Sequence, residues 1–221
     1  MELPPVVLLD LYETCAWADW DRYRMMVGGI WDVDREVLDG AYTRTRSERN
    51  IGVYSSLEEE MVAVAAAAGL PPDPERLDAM VDAVRAFMAQ HVSLYDDALP
   101  TIDALRERGH RVVLVSNCAR ETAAVVARLG LVERMDAVVL SVEQGVHKPD
   151  AGIYEIALDL GGAGEPADAV FVDDQAAFLD GAAALGIATL RIARRERVAV
   201  PGMPSGTGEH RTIGSLTDLL A

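Results

Sequence analysis

Aromatic residues are scarce in this chain, at 5% of its 221 residues, and cysteine is scarcer, with two. Cys15 and Cys118 cannot build the disulfide frame of a small secreted domain, so any core must be hydrophobic. With no secretory signal in view, the pair is expected to be free rather than bridged. Positive charge is also short. Lys and Arg total 20 against 36 Asp and Glu, a net charge of −16 with a pI near 4.5. That deficit argues against a nucleic-acid partner, because a phosphate backbone needs a basic face. It also repels anionic ligands at long range, so any phosphate site must be locally positive. No apolar stretch reaches the roughly 20 residues of a membrane span. The first residues lack a basic segment followed by an apolar one. The expectation is a cytoplasmic protein with no membrane partner; the sequence assigns no oligomeric state.

Apolar residues are plentiful. Half the chain is hydrophobic, ample for the core of one large domain or of a core with a smaller insert. One stretch organises the rest. Val6, Val7, Leu8 and Leu9 run without a polar break into Asp10. A short apolar run rich in β-branched residues reads as a fully buried strand. A carboxylate at the carboxyl end of such a strand lies where open α/β sheets place their ligands. On its own, Asp10 would serve equally as a helix cap.

Residues 15–98 read as helical. Trp17, Trp20, Tyr23, Met26 and Ile30 recur at spacings of three and four, a pattern that Gly28-Gly29 interrupts. A second helix is predicted over 37–45. Ser55 to Glu59 offers two overlapping capping boxes, and the alanine-rich run behind them ends at Gly69. Asp73-Pro74 opens a further helix that runs to about His91. No strand is predicted here.

From residue 99 the pattern alternates. Helices are predicted over 100–108, 121–129, 151–160 and 175–185, and strands over 111–115, 137–140, 169–172 and 188–192. Gly109, Gly130 and Gly186 close three of the helices. Such alternation means βαβ units and a parallel sheet with helices on both faces. The helical block is then an insertion after the first strand. Residues 194–210, with Arg194, Arg195 and Arg197 followed by Pro, Gly and Ser, read as a surface loop.

A parallel sheet brings its strand ends to one edge, so residues far apart in sequence converge there. Those ends carry Asp10, Ser116-Asn117 and Asp173-Asp174, with His147-Lys148-Pro149-Asp150 ahead of a helix. Three carboxylates together call for a hard cation, and Mg²⁺ prefers oxygen ligands combined with substrate phosphate. Ser116 and the N–H groups opening the next helix suit phosphoryl oxygens. Lys148 suits charge neutralisation in a transition state. A carboxylate beside phosphorus suits a nucleophile.

Four stretches resemble the haloacid dehalogenase superfamily in order and spacing: Asp10-Leu11-Tyr12-Glu13-Thr14, Val115-Ser116-Asn117, Lys148-Pro149-Asp150 with Tyr154 following, and Phe171-Val172-Asp173-Asp174. The resemblance implies a Rossmann-like α/β core of residues 1–14 and 99–221, strand order 3-2-1-4-5. It implies an inserted helical cap of residues 15–98. It implies that Asp10 is the nucleophile, that Ser116, Asn117 and Lys148 hold the phosphoryl group, and that Asp10, the Tyr12 carbonyl, Asp173 and Asp174 hold Mg²⁺. The function it implies is hydrolysis of a small phosphorylated metabolite through an aspartyl phosphate.

Several positions depart from that pattern. Family phosphatases carry an acid/base aspartate two residues after the nucleophile, where this chain has Tyr12, and then a glycine, where it has Glu13. A tyrosine there resembles the 2-haloacid dehalogenase branch, which uses no metal but lacks the paired acids seen here as Asp173-Asp174. That branch also holds its leaving halide with a cap arginine, for which Arg44, Arg46 and Arg49 are available. Phe178 stands where the family often has Asp or Asn. The leading expectation is a magnesium-dependent phosphatase, slowed by Tyr12 and accumulating phosphorylated Asp10. The alternatives are a 2-haloacid dehalogenase and a binding protein with an impaired site. Trp17, Trp20, Tyr23 and Arg24 are candidate cap contacts, with core packing the ordinary use of the aromatics.

Overall fold

The computed structural model describes residues 3–194 and 206–221. The greater part of the predicted loop 194–210, with Arg195 and Arg197, lies outside the described residues. The chain opens with β1 (Val6–Leu9) and β2 (Ala16–Ala18), followed by four helices, α1 (Trp20–Trp31), α2 (Arg35–Asn50), α3 (Leu57–Ala67) and α4 (Pro74–Gln90). It continues through β3 (Val92–Leu94), α5 (Ala98–Glu107), β4 (Arg111–Ser116), α6 (Thr122–Arg128), β5 (Ala137–Leu140), α7 (Ser141–Gln144) and α8 (Ala151–Gly161). β6 (Ala169–Asp173), α9 (Ala176–Ala184), β7 (Ala188–Ile192) and β8 (Arg211–Ile213) complete it.

Six strands form one parallel sheet in the order β5-β4-β1-β6-β7-β8. Numbered among themselves along the chain, these strands run 3-2-1-4-5 with a sixth at the edge. The Rossmann-like α/β fold is therefore as expected, with β8 added. β1 lies at the centre, with Val6 opposite Arg111 on one side and Ala169 on the other. Its side chains alternate between two cores, as strand geometry requires. Val7 and Leu9 join Leu114 and Val172 on one face, while Val6 and Leu8 join Phe171 and Tyr154 on the other. All four β1 side chains are buried, each contributing about 1.5–3 kcal/mol.

The helical block departs from expectation at both ends and in one helix. β2 and β3 pair antiparallel, with Trp17 opposite Ser93, where no strand was predicted. Trp17 therefore belongs to a strand, and α1 begins only after Asp19, whose side chain accepts from Arg22 N. Nor does Gly28-Gly29 interrupt α1, which continues to Trp31. A helical glycine costs about 1 kcal/mol, less than the buried Tyr23, Val27 and Trp31 return at about 1.5–3 kcal/mol each. α4 starts as predicted, with Asp73 accepting from Arg76 N and Pro74 in the first turn.

The block folds back over the carboxyl edge of the sheet. Gly52, after α2, has φ +72°, and a Cβ there would stand 2.3 Å from the Val142 carbonyl oxygen of α7. Arg120, after β4, donates Nε to the Tyr54 carbonyl at 2.6 Å. Arg128 of α6 donates to the carbonyls of Met88 near the end of α4 and Val92 at the start of β3.

Candidate active site

Asp10 follows β1 directly, its backbone N–H donating to the Val172 carbonyl at 3.0 Å. Asp173 ends β6 beside it and Asp174 follows. All three are buried, and one oxygen from each lies within 4.8 Å of the others. Lys148, the only lysine in the chain, enters this cluster. Its Nζ donates to Asp10 Oδ1 at 2.6 Å, to Asp173 Oδ2 at 2.7 Å and to the Val115 carbonyl at 3.0 Å. An ammonium has three donors, so all are engaged. In this arrangement Lys148 neutralises carboxylates and keeps no proton for a phosphoryl oxygen. The rings of Phe171 and Phe178 stand 5.2 and 5.1 Å from Nζ, which gives Phe178 a cation–π role where the family often has an acid.

The loop carrying Lys148 is held on two sides. The Asn117 amide donates to the Lys148 carbonyl at 2.8 Å and accepts from its N–H at 2.7 Å. Gly181 of α9 lies so close that a Cβ would meet the Pro149 carbonyl oxygen at 2.5 Å. Asn117 thus positions a neighbouring loop with both ends of its side chain.

The charges are strongly coupled. Burial, with Asp173 adding to it, pushes the Asp10 carboxyl up to about 7 although Lys148 pulls the other way. Burial by itself depresses the Lys148 ammonium, but Asp10 and Asp173 outweigh it and raise Lys148 to about 12. Asp173 spends its other oxygen on the Gln175 N–H at 2.7 Å. Asp174 is the acid of the pair that lines the cavity. Ser116 is fully buried, and its Oγ has no hydrogen-bond partner among the described residues.

Tyr12 points away from acid–base work. Its hydroxyl meets Thr122 Oγ1 at 3.2 Å and its ring packs edge-on against Trp20. Burial moves its ionisation well above the ordinary phenol range. Glu13 adopts φ 62° and accepts from Tyr95 Oη at 2.9 Å, at the return from the helical block. Cys15 and Cys118 are both free and buried, and burial pushes the Cys118 thiol up to about 11.

A cavity of about 330 Å³ opens over Asp10, lined also by Tyr12, Asn117, His147, Lys148 and Asp174. Thr43, Arg46, Ser47 and Asn50 close it from α2. Of the three candidate cap arginines only Arg46 lines it. Arg44 donates to the Ala67 carbonyl, and Arg49 to Thr45 Oγ1 and the Tyr42 carbonyl. Trp17, Trp20, Tyr23 and Arg24 do not line it; Tyr23 is core, and Arg24 pairs with Asp39 at 2.7 Å. Thr43, Ser47 and Asn50 are not singled out in the sequence, and His147 is named there only as part of the stretch ahead of a helix, with no role of its own. Ser47 and His147 meet across the cavity wall, Oγ to Nε2, at 3.0 Å. The signal for Ser47 was the polar spacing of 43, 46, 47 and 50 on one helix, which only the fold shows to face a site.

Residues 7–186 match the haloacid dehalogenase-like hydrolase family, and the chain belongs to it. Two curated relatives carry different chemistries. The chain is 27% identical to (S)-2-haloacid dehalogenase 1 of Pseudomonas sp. (strain CBS-3), over 82% of this chain and 77% of that one. It is 28% identical to ribulose-1,5-bisphosphate 5-phosphatase of Halopiger xanaduensis, over 86% of this chain and 85% of that one. In fold it is similar to a HAD family enzyme of Bacteroides thetaiotaomicron solved with magnesium and inorganic phosphate, at TM-score 0.69 and 21% identity, covering 88% of this chain and 96% of that one. The chain is thus a HAD-like hydrolase, in a family whose relatives act on small anionic substrates, both haloacids and phosphates.

Proposed function

We propose that this hydrolase is a magnesium-dependent phosphatase for a small phosphorylated metabolite, working through phosphorylated Asp10. The observation that carries the reading is the acidic cluster: three buried carboxylates gather where the Lys148 ammonium pairs with Asp10 and Asp173. Burial, with Asp173 adding to it, drives Asp10 toward protonation, and a divalent cation would favour its carboxylate form. The oxygens of Asp10 and Asp174, with the Tyr12 carbonyl, suit such an ion, with Asp173 adding charge from behind through Lys148. Mg²⁺ supplies Lewis-acid stabilisation of phosphoryl oxygens when bound.

The chain's own residues do the rest. Asp10 attacks phosphorus, the bond from phosphorus to the ester oxygen breaks, and that oxygen takes a proton from water and leaves as the alcohol. Lys148 holds one oxygen of the Asp10 carboxylate and offsets its charge. Ser116 Oγ, buried without a partner among the described residues, would donate to a phosphoryl oxygen in this reading, although it does not line the cavity. The cavity volume lies at the small end of ligand sites, about 300–1,000 Å³, and suits a compact metabolite.

One observation favours a second reading, a 2-haloacid dehalogenase: Arg46 lines the same cavity as Asp10. The deciding experiment sets hydrolysis of an aryl phosphate, with and without Mg²⁺, beside chloride release from 2-chloropropionate. Calorimetry of Mg²⁺ with a phosphate mimic checks the metal separately. No binding at millimolar Mg²⁺, with chloride release intact, decides for the dehalogenase.

A further inference from the structure

We propose that Ser47 and His147 form the proton relay that hydrolyses phosphorylated Asp10, a role left open by Tyr12; the inference rests on the phosphatase reading above. The geometry fixes the direction of the relay. His147 Nδ1 lies 2.8 Å from the Lys148 carbonyl oxygen, which can only accept. Nδ1 therefore carries the hydrogen, and Nε2 of the neutral ring is an acceptor. The Ser47 hydroxyl, 3.0 Å away, donates to it. The arrangement is a hydroxyl, a base and a group that orients the base, which is how an activated oxygen is recognised.

Elimination points the same way. Asp10 is the reacting group and Asp174 belongs to the acidic cluster. Lys148 has its three protons committed. The Tyr12 hydroxyl is tied to Thr122, and Arg46 holds its proton throughout the working range. Imidazole is the side chain whose unperturbed ionisation lies near neutrality. His147 is half-buried and Ser47 exposed, so a proton taken from the cavity can pass on to solvent.

The chemistry balances. A water oxygen bonds to phosphorus as the bond from phosphorus to the Asp10 oxygen breaks. Asp10 leaves as carboxylate and one water hydrogen stays on the phosphate. The other passes to Ser47 Oγ while the Ser47 proton moves to His147 Nε2, which later releases it to water. The two partners sit on α2 and on the loop before α8, so the relay exists only while the helical block is folded over the sheet.

The test is rapid quench with p-nitrophenyl phosphate and Mg²⁺, whose leaving group needs no acid. General-base help is worth about a hundred to ten thousandfold, so His147→Asn should lower steady turnover at least about a hundredfold. The variant should still give a burst near one equivalent of p-nitrophenol and leave phosphate on Asp10. Free imidazole should restore part of its turnover, and KM should change little. Ser47→Ala should slow turnover and Ser47→Thr should retain it. Turnover of His147→Asn within about threefold of wild type, below the hundredfold floor of general-base effects, overturns the relay. So does a loss that imidazole leaves unrepaired and that accumulates no phosphoenzyme, the behaviour of a mere seam contact. No Mg²⁺-dependent release of p-nitrophenol from wild type, with chloride released from 2-chloropropionate, overturns the phosphatase reading and the relay together.

Discussion

Lys148 Nζ bridges Asp10 and Asp173, 2.6 Å from one carboxylate and 2.7 Å from the other, with its side chain wholly out of solvent. Removing one partner of such a buried set strands the other charges, typically at about 3–5 kcal/mol. Lys148→Met is therefore expected to lose about that much stability, read from urea unfolding at neutral pH. A loss below about 1 kcal/mol, the range of exposed pairs, would show that water reaches the cluster.

Because Lys148 is the only lysine, its burial can be read chemically. Its ammonium is raised to about 12 and is a poor nucleophile at neutral pH. Reductive methylation of the folded protein should leave the peptide that contains Lys148 unmodified by mass spectrometry. The same treatment in denaturant should dimethylate it. Modification at equal rates in both states counts against the triple hydrogen bond.

Asp97 carries a pH-dependent share of stability. One of its oxygens accepts from Arg194 Nη1 at 2.7 Å, Ser215 Oγ at 2.5 Å and Leu216 N at 2.8 Å. Burial opposes ionisation, but these donors prevail and the carboxyl falls below its ordinary value. A carboxyl lowered on folding stabilises above its unfolded pKa, about 3.9, and loses that contribution as pH falls through the folded value. Asp97→Asn should cost about 1.5–3 kcal/mol at pH 7, as charged hydrogen bonds do. The gap to wild type should narrow below about pH 4. A gap that stays constant to pH 2 argues against an ionised Asp97.

Tyr12 is expected to pack rather than react. Tyr12→Phe removes one hydrogen bond to Thr122 and should cost about 0.5–1.5 kcal/mol. Turnover should hold, since the hydroxyl takes no part. Tyr12→Asp supplies a tunable base and should speed release of phosphate from Asp10, most visibly with His147→Asn in the same chain. A collapse of turnover in Tyr12→Phe would return the phenol to the chemistry.

Much of this architecture was legible because its signals are local. Val6 to Leu9 announces a buried strand without help from the rest of the chain, and Asp73-Pro74 marks a helix start within two residues. What stayed hidden depends on distant partners. Ala16–Ala18 is too short to carry a period and is a strand only because Val92–Leu94 lies beside it. Gly28-Gly29 reads as a break until the buried faces of Tyr23 and Trp31 are weighed against it. The strand-end motifs carry Asp10, Lys148, Asp173 and Asp174, which lie together. They did not predict that Lys148 would spend every donor on its neighbours, since that follows from the path of a loop held by Asn117 and Gly181. Ser47 and His147, one hundred residues apart, gave no sign of each other.

The central place of β1 sets the order in which the molecule can assemble. Its two neighbours begin at Arg111 and Ala169, so β1 waits for one distant segment before its first edge is paired and for a still later one before its second is. The contacts among α1 to α4 are nearer in sequence and close sooner, because loop-closure entropy grows with separation. The segment bearing Asp10 is thus among the last to be locked. Until β6 docks, Val6 to Leu9 is an apolar ribbon with open edges, and nascent chains are most exposed to aggregation in that interval.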